Sequence, residues 1–190
     1  LLSALLLGFS LSCELGIILI VYLIINLLYN HGFRSILFLD VLCIASGFML
    51  RILAGTLGIG LPITYWLTLT ATLLSLFIAL CKRRLEMQLD PKHARRLVLR
   101  KYNREILDHL ILGIGAACFV AYALYTQCAQ KGQFYFVLTV PFSAISLWRF
   151  GYLSTRDNGD DNPISVFFSD KYSILNLFCF VILTLIALVN

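Results

Sequence analysis

The stretch Tyr29–Gly60, YNHGFRSILFLDVLCIASGFMLRILAGTLGIG, sets an aspartate at the head of an apolar run and an arginine in its middle. An α-helix turns about 100° per residue, so the eleven steps from Asp40 bring Arg51 back to within about 20° of the same direction. Gly47 and Gly58 fall on that line, with Ala54 and Gly55 beside it. A stripe that combines charge with small residues suits protein or a water-filled cavity, because small residues let helices approach and an intramembrane charge rarely faces lipid. Arg51 is therefore a candidate for holding an anion at the floor of a cavity. The plainer alternative is that it pairs with a carboxylate to hold helices together, or snorkels to the interface.

Working outward, the surroundings of this stretch are those of a membrane protein. Of 190 residues, 60% are hydrophobic and 13% charged, and the mean hydropathy is +0.89. A soluble surface needs more charge than that. A spanning helix needs roughly 20 mostly apolar residues. Stretches that meet this are Leu15 to Leu28 with its flanks, Asp40 to Ile59, Thr64 to Cys81, Leu107 to Thr126, Phe134 to Phe150 and Ser173 to Val189. The fold class expected is all-α and integral to the membrane, a single helical bundle over residues 1–190 with six complete spans and a partial helix before them. That partial helix is Leu1 to Leu11, apolar from the first residue but too short to span; it reads as the end of a helix whose beginning belongs to a longer protein.

Charge placement predicts the orientation. The loops around Arg34, Lys82 to Arg104 and Arg149 to Lys171 fall on one side and hold 13 of the 15 Lys and Arg residues. Basic residues in short loops favour the cytoplasmic side, so the chain reads as a multi-pass protein of the cytoplasmic membrane with these loops inside. Nine of the ten acidic residues lie on the same side or at its helix ends. Topology alone does not ask for acids, so that face uses both signs. The six cysteines show no CxxC pair and no Cys/His metal spacing, and read as small apolar fillers.

The longest basic segment, CKRRLEMQLDPKHARRLVLRKYNREILDHL from Cys81 to Leu110, mixes Lys82, Arg83 and Arg84 with Glu86, Asp90, Glu105 and Asp108. Lys82 and Glu86 lie one helical turn apart, as do Arg84 and Gln88, which predicts a helix running past the membrane surface. Asp90-Pro91 ends it, and a second helix is expected from near Lys92. Cytoplasmic basic runs commonly serve topology and lipid headgroups. The interleaved acids suit instead a site for phosphate groups and a bridging cation, since Mg²⁺ sites combine one or two carboxylates with substrate phosphates. The third loop, Arg149 to Ser173, holds Asp157, Asp160, Asp161 and Asp170 among Gly, Asn and Pro, and reads as a flexible, solvated connection. No Walker loop, GxGxxG fingerprint or HExxH helix is present, and nothing calls for nucleic acid.

In order along the chain, these motifs resemble the UbiA superfamily of intramembrane prenyltransferases, and within it the branch that transfers 5-phosphoribose to decaprenyl phosphate. Against the pattern Y-S-x-x-L-K-x-x-x-x-L-D-V followed by A-x-G-F-x-L-R-x-x-A-G, the chain has Tyr29, Asn30, Phe33, Arg34, Leu39, Asp40 and Val41, then Ala45, Gly47, Phe48, Leu50, Arg51, Ala54 and Gly55, with Asn30 in place of the serine and Phe33 in place of the leucine. The pattern G-K-R-x-x-E-L is matched at Lys82, Arg83 and Glu86, with Cys81 for the glycine and Met87 for the leucine, and L-R-x-Y-x-x-x-x-L-D at Leu99, Arg100, Tyr102, Leu107 and Asp108. The aspartate-rich motif N-D-x-x-D-x-x-x-D, which supplies Mg²⁺ ligands in the family, is absent, so the chain reads as the C-terminal two thirds of an enzyme and short of a complete site. Arg34 stands where the family has lysine, keeping the charge but not the geometry.

What the resemblance implies is a Mg²⁺-dependent transferase that uses phosphoribosyl diphosphate and a polyprenyl phosphate lipid. Asp40, Arg51 and Glu86 would be its catalytic residues, and Tyr29, Arg34, Lys82, Arg83, Arg84, Tyr102 and Asp108 its substrate-binding residues. No metal ligand is assigned within the chain beyond a role open to Asp40. A homo-oligomer is compatible with all of this. Two rivals stay open: a transferase of the same fold with a prenyl diphosphate donor, and a non-catalytic membrane transport or assembly protein.

Overall fold

A computed structural model describes residues 8–33, 39–58, 64–89, 103–128, 134–156 and 162–189. All regular structure among them is helical. The helices are α1 (Cys13–His31), α2 (Leu39–Gly58), α3 (Tyr65–Leu89), α4 (Arg104–Cys128), α5 (Phe134–Leu138), α6 (Val140–Thr155), α7 (Pro163–Ser169) and α8 (Lys171–Val189). Five spans are long and apolar enough to cross a membrane unaided, α5 and α6 together making one of them; α7 and α8 make a sixth only as a pair bent by 91°. This is the multi-span helical bundle expected from the hydropathy.

The ends of the helices follow local chemistry. Ser12 caps α1, its hydroxyl accepting from the Leu15 N–H at 3.1 Å, and Gly32 closes it by donating its N–H to the Leu28 carbonyl. α3 does not stop at Cys81, the predicted exit from the membrane. Its 25 residues span about 37 Å at ~1.5 Å per residue, more than the ~30 Å hydrocarbon core, so the turns from Lys82 onward continue as a rigid rod beyond it. Lys, Arg, Leu, Glu, Met and Gln are all good helix formers.

The predicted span from Phe134 to Phe150 is interrupted at Thr139. Pro141 lacks the N–H that would bond one turn back, and side chains take up the local polar groups: the Thr139 hydroxyl donates to the Phe136 carbonyl at 2.6 Å and lies 2.6 Å from the Tyr122 hydroxyl. The third loop is a further correction. Residues 157–161, which include Asp157, Asp160 and Asp161, lie outside the described residues, but Pro163–Ser169 is a helix capped by Asn162. Asp170 is no solvated loop residue either: Arg149 donates to both its oxygens, at 2.8 and 2.7 Å, and the Ser173 N–H and hydroxyl donate to it at 3.0 and 2.6 Å. These bonds fix the sharp entry into α8.

The helices pack in chain order, α1 on α2, α2 on α3, α3 most extensively on α4, then α4 on α6 and α6 on α8. Phe77, Leu80, Cys81, Leu107 and Ile111 form the core at the α3–α4 seam, with Val41 from α2. A second cluster of Leu85, Leu153, Val166 and Phe167 lies toward the basic end. Phe150 joins the two, its ring 5.8 Å from Phe77 and 5.5 Å from Phe167. Phe77 is 2% exposed, and a Phe→Ala change in such a core costs roughly 3–5 kcal/mol. Phe77→Ala should therefore lower stability by about that amount in denaturant unfolding from mixed micelles, whereas Leu112→Ala on the exposed face of α4 should change it by less than about 1 kcal/mol.

Candidate active site

The charged centre is built on the last turns of α3. Successive helical side chains diverge by about 100°, so neighbouring arginines reach different helices. Arg83 turns to α2, where its Nε lies 2.6 Å from Asp40 Oδ2; this is a close charge contact without the in-line geometry of a hydrogen bond. Its Nη1 donates to Glu86, three residues on. Arg84 turns to α4, where its Nε donates to Asp108 Oδ1 at 2.6 Å and its Nη2 reaches Oδ2 at 3.3 Å.

Burial decides what these contacts mean. Arg83 and Asp40 are each 1% exposed, so the pair is removed from water and each charge depends on the other. Asp40 occupies the first turn of α2, where a negative charge is favoured by the helix dipole, and its Oδ1 accepts the Val41 N–H at 2.7 Å. Arg83 Nη2 and Arg84 Nη1 are buried and make no hydrogen bond among the described residues. A buried donor without a partner is costly, and a guanidinium is well suited to a phosphate oxygen. Arg83 pairs with Asp40 and Glu86 and Arg84 with Asp108, while Lys82 is exposed. An anion at this place would meet directed donors rather than a net positive charge.

Arg51 lies apart from this cluster, about 17 Å further along α2 by helical rise. It lines a hollow of about 140 Å³ between α1 and α2, with Tyr22, Asn26, Tyr29 and Gly47. Its Nη2 donates to the Tyr22 hydroxyl at 2.5 Å, and its guanidinium lies 5.2 Å from the Tyr22 ring centroid and 5.4 Å from that of Phe48. Arg51 is exposed, and no carboxylate pairs with it among the described residues. Of the small residues on its stripe, Gly47 has the Tyr22 ring beside it, while nothing approaches Gly55.

The structure thus brings together Asp40, Arg83 and Glu86 and, through the adjacent turn, Arg84 and Asp108. It places Tyr29 with Arg51. Lys82 is exposed, and Glu86 turns to Arg83 rather than to Lys82. Arg34, Tyr102, Asp90-Pro91 and the helix expected near Lys92 lie outside the described residues. Tyr22 and Asn26 were not singled out in the sequence, yet Tyr22, Asn26 and Tyr29, spaced by four and three, make a polar stripe on a helix whose interior is otherwise apolar from Leu15 to Leu28. No group of three His, Cys, Asp or Glu side chains among the described residues is arranged to hold a metal. Asp40 and Glu86 both face Arg83, so these two carboxylates are engaged by a cation of the protein itself. Removing one member of a buried ion pair costs roughly 3–5 kcal/mol, whereas replacing both by apolar groups is often neutral. Asp40→Ala should cost about that much in micellar unfolding, and the double variant Asp40→Leu/Arg83→Met should recover most of it.

No protein-family model matches the chain. Alignment with curated proteins does find relatives. The chain is 31% identical over 172 residues to a decaprenyl-phosphate phosphoribosyltransferase of Corynebacterium glutamicum, covering 86% of this chain and 50% of that protein. It is 28% identical over 154 residues to the protein of the same name from Mycolicibacterium smegmatis, covering 74% and 48%. For the Mycobacterium tuberculosis protein of that name the figures are 24% over 140 residues, covering 72% and 46%. The chain spans about half the length of the curated relatives it matches. On these alignments, and with a multi-span helical bundle to match, the chain is a relative of the decaprenyl-phosphate phosphoribosyltransferases of the UbiA superfamily.

Proposed function

We propose that this protein transfers 5-phosphoribose from phosphoribosyl diphosphate to a polyprenyl phosphate of the decaprenyl type, releasing diphosphate on the cytoplasmic side of the membrane. The observation that carries this reading is the pair Arg83 and Arg84. Each is anchored by a carboxylate on a different helix, and each keeps a buried nitrogen without a partner among the described residues. Two directed cations side by side at a membrane-spanning bundle's basic end suit a reaction that joins two anions. The relatives' names supply the substrate classes.

In this reading the bond from the anomeric carbon to diphosphate breaks, leaving an oxocarbenium-like centre, and a lipid phosphate oxygen forms the new bond. The attacking oxygen is already anionic, so no strong general base is needed. Rate comes from holding two anions against their repulsion and from stabilising the departing diphosphate. Lys82 and Arg83, with Arg34, bind donor phosphates. Asp40 and Glu86 hold Arg83 in register. Arg51 is the floor of the donor side: a helical side chain slants toward its helix's N-terminus, so its guanidinium points back toward the Asp40 end, with Tyr29 in the same hollow. Mg²⁺ belongs to this reading as the counter-ion carried by the diphosphate, and none of the steps above is assigned to it.

The test uses membranes that express the complete reading frame, given ribose-labelled phosphoribosyl diphosphate, polyprenyl phosphate and Mg²⁺. Label should enter the organic extract. Its absence, with folded protein and both substrates present, overturns the proposal in favour of prenyl transfer, for which a labelled prenyl diphosphate is the probe. Arg51→Ala should reduce the transfer by about 10²–10³-fold, the loss typical of a directed transition-state donor. Because Arg51 is exposed, its stability should stay within about 1 kcal/mol of the parent; unchanged turnover would remove Arg51 from the site.

A further inference from the structure

The short helix α7 neither spans the membrane nor is wholly buried. At about 100° per residue, its seven residues sort into three sectors whose centres lie about 100–130° apart. Pro163, Val166 and Phe167 form the buried sector, the last two packing in the cluster with Leu85 and Leu153. Ile164 and Phe168, one turn apart, are 51% and 54% exposed. Ser165 and Ser169 form the third sector, and Ser169 is exposed. A helix that packs one face on protein and turns the rest to water gains nothing from an exposed apolar sector beside a polar one. This partition suits a helix lying along a boundary, with the bundle, hydrocarbon and water each on one side.

The direction of α7 agrees with that position. The 19 residues of α8 rise about 28 Å at ~1.5 Å each, nearly the whole of the ~30 Å hydrocarbon core. Turned by 91° against α8, α7 adds width at the membrane surface rather than depth. Down α8, the exposed Leu175, Phe178, Ile182 and Leu185 recur every three or four residues, which is the row a spanning helix turns to lipid. Tyr172 heads that row and is 73% exposed; tyrosines so placed mark the headgroup level. Phe168 stands one turn before Tyr172 in sequence, so the exposed apolar sector of α7 leads into the lipid-facing row of α8 at that level. Asp170, held by Arg149 and Ser173, fastens the corner between them.

We propose that α7 is an interfacial helix whose partner is the bilayer surface, with Ile164 and Phe168 entering the edge of the hydrocarbon at the basic end of the bundle. Its opposite side packs on Leu85, which lies between Arg84 and Glu86. Seating α7 on the membrane therefore sets the depth of the charged turn of α3, whatever reaction that turn serves.

The test is depth measurement by fluorescence quenching on the full-length protein in phosphatidylcholine vesicles. Trp66→Phe and Trp148→Phe remove both native indoles, and Phe168→Trp, or Ile164→Trp where that variant does not fold, introduces one reporter. Lipids brominated at shallow or deep acyl positions should place this indole about 5–10 Å below the headgroup boundary, out of reach of aqueous acrylamide. Ser169→Trp should show the reverse, quenched by acrylamide and not by bromine. In the same background, Lys82→Trp reports on the charged turn. Ile164→Asn/Phe168→Asn, or Phe168→Asn alone where the pair does not fold, should shift that reporter toward water by about 3 Å, two residues of helical rise. A Phe168→Trp indole quenched by acrylamide alone would put that sector in water and overturn the proposal. One protected from both acrylamide and bromine would be covered by protein, a second copy or another part of the chain, and would overturn it equally. An unmoved Lys82→Trp would overturn the role of α7 in setting depth.

Discussion

The contact between Arg83 and Asp40 is the constraint around which the basic end of the bundle is arranged. Both groups are removed from water, and neither tolerates that position as a lone charge. The pair therefore fixes the first turn of α2 against the last turns of α3, and Glu86 takes a second nitrogen of the same guanidinium. One residue on and about 100° further round, Arg84 fastens α3 to α4. Three helices meet at two consecutive residues, and their relative rotation at this end is set by side-chain chemistry as well as by apolar packing.

This arrangement explains why α3 must continue as helix beyond the apolar span. Only in a helix do neighbouring side chains diverge by about 100°; an extended chain would send them to opposite faces and a turn would leave their directions undefined. Below the charged turns, the Phe77 core keeps α3 and α4 in contact. Gly115 and Gly151 lie against the ring of that same phenylalanine, and a hollow of about 480 Å³ opens beside it between α4 and α6. The packing that stabilises the bundle and the hollow that departs from close packing thus share one residue.

Much of this was legible in the sequence. Apolar length alone gave the spans, and the motif residues Asp40, Arg83 and Glu86 do cluster. Periodicity along one helix could not reveal partners on another: Lys82 and Glu86 have ideal spacing, yet Glu86 turns to the buried Arg83, and Lys82 stays exposed. The same limit hid the role of Asp170, which looks like a loop acid until Arg149, 21 residues earlier, lies across it. Tyr22 and Asn26 show the limit from the other side: their helical spacing is plain in α1, but nothing within α1 indicates that α2 brings Arg51 to them. Pro141 was a visible signal for the break at Thr139, outweighed by the apolar run around it.

One feature of α1 reaches beyond its own packing. Among the described residues 6% of its spanning window is buried, the smallest share of the five spans, and what joins it to the bundle is its line of contact with α2. Along that line α1 supplies Tyr22, Asn26 and Tyr29 to the hollow around Arg51. One wall of the hollow thus stands on the least buried span, and any shift of α1 against α2 would change the distance between Arg51 and the Tyr22 hydroxyl.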